Sequence, residues 1–440
     1  MGFHHWDQNM PSTIGTPLCR RAPLHARPLV AALIFASAGA YAQDASVSLD
    51  AALQAATDHS AAVGAARASI RASSEASVRA GQLPDPTLKA GIDNLPVTGQ
   101  QKFTTGQDFM TMRRIGIEQE WVSGEKRRLR AALANEVVDR ERAGYLVQLA
   151  STRQQTAAAW LNAIYAKQAV SLQQELVQHM THELDATKAS YRGAKATAAD
   201  VTQAQAMLAQ TQDQLLKARQ TFQTALIGLS RWTATPVADV SGEPPAPRSY
   251  VSALPPEELR EVQPVLVAAS RDIEVADADT AVANSNRSPN WTWEVAYQQR
   301  GGAYSNMVSI GVSIPLPIDR KNRQDRAVSE KAELATKARL MYEDAQRQVE
   351  ADIRTQSAIL ASGRERIANL SSSLLPAAEQ RVQLAAASYR AGTGSLADTF
   401  AARRARLDAA LQVLDLRRDL SQTWAQLEYQ VVPASMSVGR

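Results

Sequence analysis

Two carboxylates occupy the same place in a phrase that this chain writes twice. ASYRGAKATAAD runs from Ala189 to Asp200 and ASYRAGTGSLAD from Ala387 to Asp398; six of the twelve positions are identical, and the copies lie 198 residues apart. Each aspartate follows a hydroxyl residue, Thr197 or Ser395, by three positions. That spacing suits a helix start: the hydroxyl caps it and the carboxylate lies in its first turn, worth roughly 0.3–1 kcal/mol against the helix dipole. Gly193 in the first copy, and Gly392 and Gly394 in the second, are placed to take the positive φ that ends the preceding helix. Other chemistry is thin. His179 and His182 share a helix face beside Glu183, but two histidines without a cysteine or third strong ligand fit a solvated face better than a metal site. The methionines are scattered. Cys19 is the single cysteine, and no nucleotide-binding loop, hydrolase serine motif or paired catalytic carboxylates stand out. The sequence predicts no enzyme and no cofactor.

The bulk properties narrow the class. The 440 residues carry a formal charge of +4 without a long basic run, so nucleic acid is not an expected partner. Aromatic residues make up 5% and Ala, Gln, Leu and Arg abound, which suits long helices packed through small side chains. Residues 1–42 read as a signal peptide: Arg20, Arg21 and Arg27 precede an apolar run from Pro28 to Ala38, and Ala40-Tyr41-Ala42 fits a cleavage site. Met1 and Met10 both serve as candidate starts. Cys19 precedes the apolar run, so the exported chain is expected to carry no disulfide and no lipid anchor. No mature stretch has the apolar length of a transmembrane helix.

What positions the two phrases is an internal repeat. Leu83-Pro-Asp-Pro-Thr-Leu88 has a counterpart in Ser288-Pro-Asn-Trp-Thr-Trp293, and Ile115-Gly116-Ile117 in Ile310-Gly311-Val312, in the same order. The expected division is 43–240 and 259–432, joined by a proline-rich connector at 241–258 and followed by a tail at 433–440. The connector is either an ordered crossing or a flexible linker. Each half reads as helix, two strands, long helix, turn, helix. Period-two alternation marks the strands, with Trp291, Trp293, Val295 and Tyr297 on one face and Thr292, Glu294, Ala296 and Gln298 on the other. Val201, Leu208, Leu215, Phe222 and Leu229 recur by seven, with Ala204, Thr211, Ala218 and Ala225 between them, a seam that lets helices approach closely. Lys126–Ser190 and Lys321–Ser388 predict very long helices, since about 60 residues reach roughly 90 Å.

Four strands are too few to close a barrel, and an open sheet edge cannot sit in lipid. Three copies pooling their strands would close one, with apolar residues facing lipid and polar residues facing water. Trp291, Trp293 and Tyr297 would then suit a membrane interface.

These features together resemble the outer membrane efflux proteins of the TolC family, over about residues 45 to 430. The LPDPTL opening and the Ile-Pro-Leu-Pro-Ile-Asp-Arg stretch at 314–320 are most similar to the branch serving heavy-metal efflux pumps of the RND type. The resemblance implies a mostly α fold with a small β part: two tandem repeats of helix, β-hairpin and long helical hairpin. It implies a homotrimer whose twelve-stranded outer-membrane barrel continues as an α-helical tunnel across the periplasm of a Gram-negative cell. It implies a duct for heavy-metal cations, with a periplasmic adaptor (membrane fusion protein), an inner-membrane RND pump and outer-membrane lipid as partners. The repeated phrase would mark the tight turns at the periplasmic tip. Asp200 and Asp398 would narrow the tunnel as a ring of acids that favours cations, and Tyr389 would join the closing contacts. The family's partner arginine position is here Gly394, and Arg192, Lys195 or Arg390 are the candidate substitutes. Tyr191, Arg192, Gly193, Arg390, Gly392 and Gly394 would face the adaptor. A multidrug or type I protein-secretion duct is the alternative within this class; a periplasmic coiled-coil adaptor or scaffold is the alternative outside it.

Overall fold

The computed structural model describes residues 46–433. The signal peptide expected at 1–42, with Cys19 and both candidate starts, lies outside the described residues, as does the tail from 434 on. Among the described residues nine α-helices and four β-strands follow in chain order. The first half holds α1 (Leu49–His59), α2 (Ala61–Ala80), β1 (Thr87–Asp93), β2 (Met112–Trp121), α3 (Gly124–Arg192) and α4 (Ala198–Thr233). The second holds α5 (Pro256–Val262), α6 (Pro264–Ser285), β3 (Trp291–Gln299), β4 (Met307–Ser313), α7 (Gln324–Asn369), α8 (Leu375–Arg390) and α9 (Leu396–Glu428). The β-hairpin loop of the first half is the longer one, spanning 94–111 against 300–306.

The four strands form one antiparallel sheet in the order β1-β2-β3-β4. Its middle seam joins the two halves, with Ile115 opposite Tyr297, Ile117 opposite Val295 and Trp121 opposite Trp291. Gly116 opposes Ala296, and a Cβ at 116 would lie 2.8 Å from the Ala296 Cβ and 2.9 Å from the Val295 carbonyl oxygen. Glycine is therefore required where the two repeats meet. The outer edges of β1 and β4 have no neighbour among the described residues.

Helix α3 has 69 residues and, at 1.5 Å per residue, runs about 100 Å. Near the sheet, α2 and α6 lie along α3 and α7. Lys331–Asp279 at 2.9 Å and Arg339–Asp277 at 2.5 Å tie α6 to α7. Further out, α4 and α9 replace them beside α3. The heptad seam of α4 is covered as its spacing predicts: Ala204, Thr211, Leu215 and Leu229 are buried, and Val201, Leu208, Phe222, Ala218 and Ala225 are half-buried. The second long helix departs from the sequence expectation. It starts at Gln324 rather than Lys321, and a five-residue π-helical turn, Leu370–Leu374, separates α7 from α8. Pro376 follows two residues after this turn, in the first turn of α8. It has no N–H to give and its ring crowds the preceding turn, so the i→i−4 ladder is interrupted there.

The central core knots the chain. Trp160 of α3 is fully buried, and its indole N–H donates to the Val47 carbonyl at 2.9 Å. Val47 bridges Val240 in parallel, just beyond α4. Lys167, two turns along α3, donates to the Asp239 carboxylate at 2.6 Å and the Val240 carbonyl at 2.8 Å. The proline-rich connector is an ordered crossing: Val251 is buried in this core, and Trp424 of α9 donates to the Arg248 carbonyl at 3.0 Å.

Candidate functional site: a two-faced sheet and two helix-to-helix turns

Cross-strand register turns the alternation of each strand into two continuous faces. One is mostly apolar: Leu88 and Ile92, Ile115 and Ile117, Val295 and Tyr297, and Val308, Ile310 and Val312 all lie on it and all are exposed, with Arg113 and Gln299 at one end and Gln119 beside Trp293 as its polar members. Trp291 and Tyr297 stand exposed on this face and Trp293 is half-buried. Trp291 packs on Trp121 with ring centroids 5.9 Å apart, tilted by 39°. The opposite face carries an ion network. Lys89 pairs with Glu118 and lies 3.6 Å from Glu294; Arg114 meets Asp93 at 3.3 Å and Glu294 at 3.4 Å. With Glu120, this face sets four carboxylates against two cations. Alternation assigns Glu294 to the polar face, but only the register shows which strands its neighbours come from.

At the far end of the helices, the two phrases fold into the same device. The amides of Ala194 and Lys195 donate to the carbonyls of Tyr191 and Ser190 at 3.0 and 2.9 Å; those of Gly392 and Thr393 donate to Tyr389 and Ser388 at 3.1 and 3.0 Å. These paired bonds close each helix as a Schellman motif. A capping box opens the next one. Thr197 accepts from the Asp200 amide at 3.2 Å while the Asp200 carboxylate accepts from the Thr197 amide at 2.8 Å; Ser395 and Asp398 repeat this at 3.1 and 3.3 Å.

The left-handed residue of each motif corrects the sequence expectation. It is Gly392 in the second turn, with φ of 76°, but Ala194 in the first, with φ of 55°. Gly193 has φ of −88° and occupies the C-cap position, where the second copy has Ala391. Gly394 also lacks a positive φ. Its role is steric, because a Cβ there would lie 2.9 Å from the Ser388 Cβ. The swap of Gly-Ala for Ala-Gly between the copies thus places an alanine in a region that disfavours L-residues. Ala194→Gly is expected to stabilise the first turn by about 0.5–1 kcal/mol. Amide exchange at Lys195 should slow, and Gly392→Ala should speed it at Thr393; equal protection in wild type and variants would refute the strain.

The turn residues are not equivalent between copies. Tyr191 is exposed, whereas Tyr389 is half-buried against the cluster formed by Leu176, Met180, Leu184 and Phe400. Burial raises the Tyr389 hydroxyl above its ordinary value, and the nearby charges of Asp200 and Glu183 add to this. The fold therefore brings a tyrosine of the second repeat to a carboxylate of the first. Glu183 is itself paired with Arg403 of α9 at 3.3 Å, both largely shielded; periodicity alone gives no sign of this cross-repeat pair. Arg192 and Arg390 turn back onto the carbonyls of Lys188 and Ala386 at 3.4 and 3.2 Å, so each closes its own helix. Neither pairs with Asp200 or Asp398 within the chain. His179 lies 3.7 Å from Glu175 on the same helix, and no three metal-ligating groups gather among the described residues.

Hydrogen bonds from the cap residues hold Asp200 and Asp398 below the usual carboxylate range: the Thr197 backbone leads for the first and the Ser395 side chain for the second. A depressed folded value stabilises the turn above the unfolded value of 3.8 and is lost as pH falls through the lower folded value. The Thr197 and Ser395 amides are expected to stay protected at neutral pH and to exchange faster, relative to intrinsic rates, in stronger acid. Protection unchanged across that window would show that the carboxylates do not hold the turns.

Among the described residues no helix is long and apolar enough to cross a membrane. The sequence profile of one family, "Outer membrane efflux protein", matches residues 256–429. No curated protein matches the sequence. Solved structures share the fold. The chain is similar to the outer membrane protein VceC of Vibrio cholerae at 17% identity and a TM-score of 0.70, over 87% of this chain and 95% of that one. It is similar to CusC at 13% and 0.73, over 86% and 90%. It is similar to the MtrE outer membrane channel of Neisseria gonorrhoeae at 17% and 0.70, over 87% and 88%. The fold is that of the TolC-like outer membrane channels, a mostly helical chain with one small sheet. The efflux proteins this family comprises are transport ducts without enzymatic activity.

Proposed function

We propose that this chain is the outer-membrane exit duct of a tripartite efflux system, working as a homotrimer. The observation that carries this is the sheet: apolar on one face, charged on the other, and open at both edges. Open backbone edges cannot remain in hydrocarbon, so copies must pair edge to edge until the sheet closes. Four strands from each of three copies make a barrel of a width that leaves a water-filled lumen. The apolar face, with Trp291, Trp293 and Tyr297, then meets lipid, and the ion network lines the lumen. Helices about 100 Å long extend the lumen into the periplasm, where the tip turns meet an adaptor and, through it, an inner-membrane pump. A soluble adaptor or scaffold gives no physical account of the exposed apolar sheet.

The cargo we favour is heavy-metal cations. The lumen face carries four carboxylates to two cations, and Asp200 and Asp398 add six acids at the tip of a trimer. A duct passes cargo without holding it, so tight ligand sets are not required. Deletion followed by a panel of zinc, cobalt, cadmium, copper, silver, dyes and antibiotics is the test. Lost metal tolerance is expected. Drug sensitivity with unchanged metal tolerance would move the duct to the multidrug class, and a protein-secretion defect alone would move it to type I secretion. Recovery as a soluble periplasmic monomer, rather than as an outer-membrane trimer on unheated gels, would reject the duct itself.

A further inference from the structure

The segment Ile314-Pro-Leu-Pro-Ile-Asp-Arg-Lys-Asn-Arg323 joins β4 to α7. Val308, Ile310 and Val312 point to the outward face of the sheet, and Ile314, Leu316 and Ile318 continue the same even-numbered series past the strand's end. Pro315 and Pro317 keep this stretch out of any helix. Exposure rises along it, from 55% at Ile314 to 78% at Leu316 and 93% at Ile318. Four exposed cations follow at once: Arg320, Lys321, Arg323 and Arg326. Asp325 serves Arg287 at 2.9 Å and Arg320 at 3.6 Å, while Lys321, Arg323 and Arg326 have no ion-pair partner among the described residues. Arg287 and Arg323 share a notch of about 360 Å³ with Leu316 and Ile318. The Trp121–Trp291 pair marks the same end of the sheet.

Along the long axis the order is aliphatic face, tryptophan pair, exposed aliphatic residues, then cations. That order matches hydrocarbon, interface and phosphate in one leaflet. We infer that residues 314–326 form an interfacial shelf that binds an anionic phospholipid of the periplasmic-facing leaflet. Leu316 and Ile318 lie against the first acyl carbons, and Lys321, Arg323 and Arg326 take the phosphodiester. The inference rests on the outer-membrane reading above. Charge complementarity favours lipid over a second copy. A neighbour pairing its β1 along β4 would bring the residues just before Thr87, which offer one carboxylate, Asp85, to four cations.

The full mature chain, as a trimer in detergent, is titrated with phosphatidylglycerol and with phosphatidylcholine of the same acyl chains, and bound lipid is counted by native mass spectrometry. Wild type is expected to prefer phosphatidylglycerol. The triple variant Lys321→Gln, Arg323→Gln, Arg326→Gln should bind it on the order of 100-fold more weakly, each cation near a membrane surface being worth roughly fivefold. No preference in wild type, or full binding by the variant, would overturn the shelf. A fluorophore on Ile318→Cys gives a second readout. Quenching by brominated phosphatidylglycerol is expected, whereas a thiol at this position that is shielded from labelling in the trimer but not in the monomer would assign the surface to the neighbouring copy instead. A trimer that inserts in bilayers but ignores headgroup charge defeats only the shelf. A chain that never inserts defeats the duct as well.

Discussion

Val295→Arg is expected to block assembly of the trimer in membranes, while Ser309→Arg leaves it intact. Val295 sits at the centre of the apolar face, opposite Ile117 on β2 and Ile310 on β4. If that face meets lipid, a guanidinium there costs about 2–4 kcal/mol near the bilayer midplane. Three copies carry the same burden at once, so the trimer suffers it threefold. Ser309 lies on the polar face beside Ala296 and is exposed, so an arginine there would extend into the water of the proposed lumen, with Glu294 diagonally across the strand pair. The checks are heat-modifiable migration on gels and urea-dependent folding into vesicles. Equal tolerance of both variants, or greater harm from Ser309→Arg, would mean that the faces are assigned the wrong way round.

Trp160→Ala should destabilise the chain by about 3–5 kcal/mol, the range for truncating a fully buried large side chain. The indole fills the junction where α3, the segment before α1 and the chain leaving α4 meet, and its N–H holds the Val47 carbonyl. Trp160→Phe separates the two contributions. It keeps most of the packing and removes one hydrogen bond, so a loss of about 1 kcal/mol is expected. Thermal unfolding ranks the variants, and limited proteolysis locates the damage at residues 46–48 and 239–241. A small loss in Trp160→Ala, or cleavage confined to the sheet, would show that this knot does not hold the two ends of the first repeat onto α3.

Much of this was legible in the chain before any coordinates, because it depends on period alone. Alternation at residues 291–298 settles which side chains share a sheet face, and recurrence by seven from Val201 to Leu229 settles which side of α4 is covered. The doubled phrase announced two helix-to-helix turns, and Thr197 and Ser395 announced where the next helices begin. Each signal is local, carried by backbone geometry over one or two turns. The tertiary structure decided the rest. It set the left-handed residue at Ala194 rather than Gly193, a one-position choice fixed by where the 6→1 bond from Lys195 closes. It made Tyr389 a packed residue and left its twin Tyr191 exposed, because only the second copy lies against the Leu184–Phe400 cluster. It paired Lys89 with Glu118 and Glu294, Glu183 with Arg403, and Trp160 with Val47. Those partners are separated by up to 220 residues in the chain. Such contacts follow from strand register and helix packing, and no periodicity within either partner's own segment encodes the other.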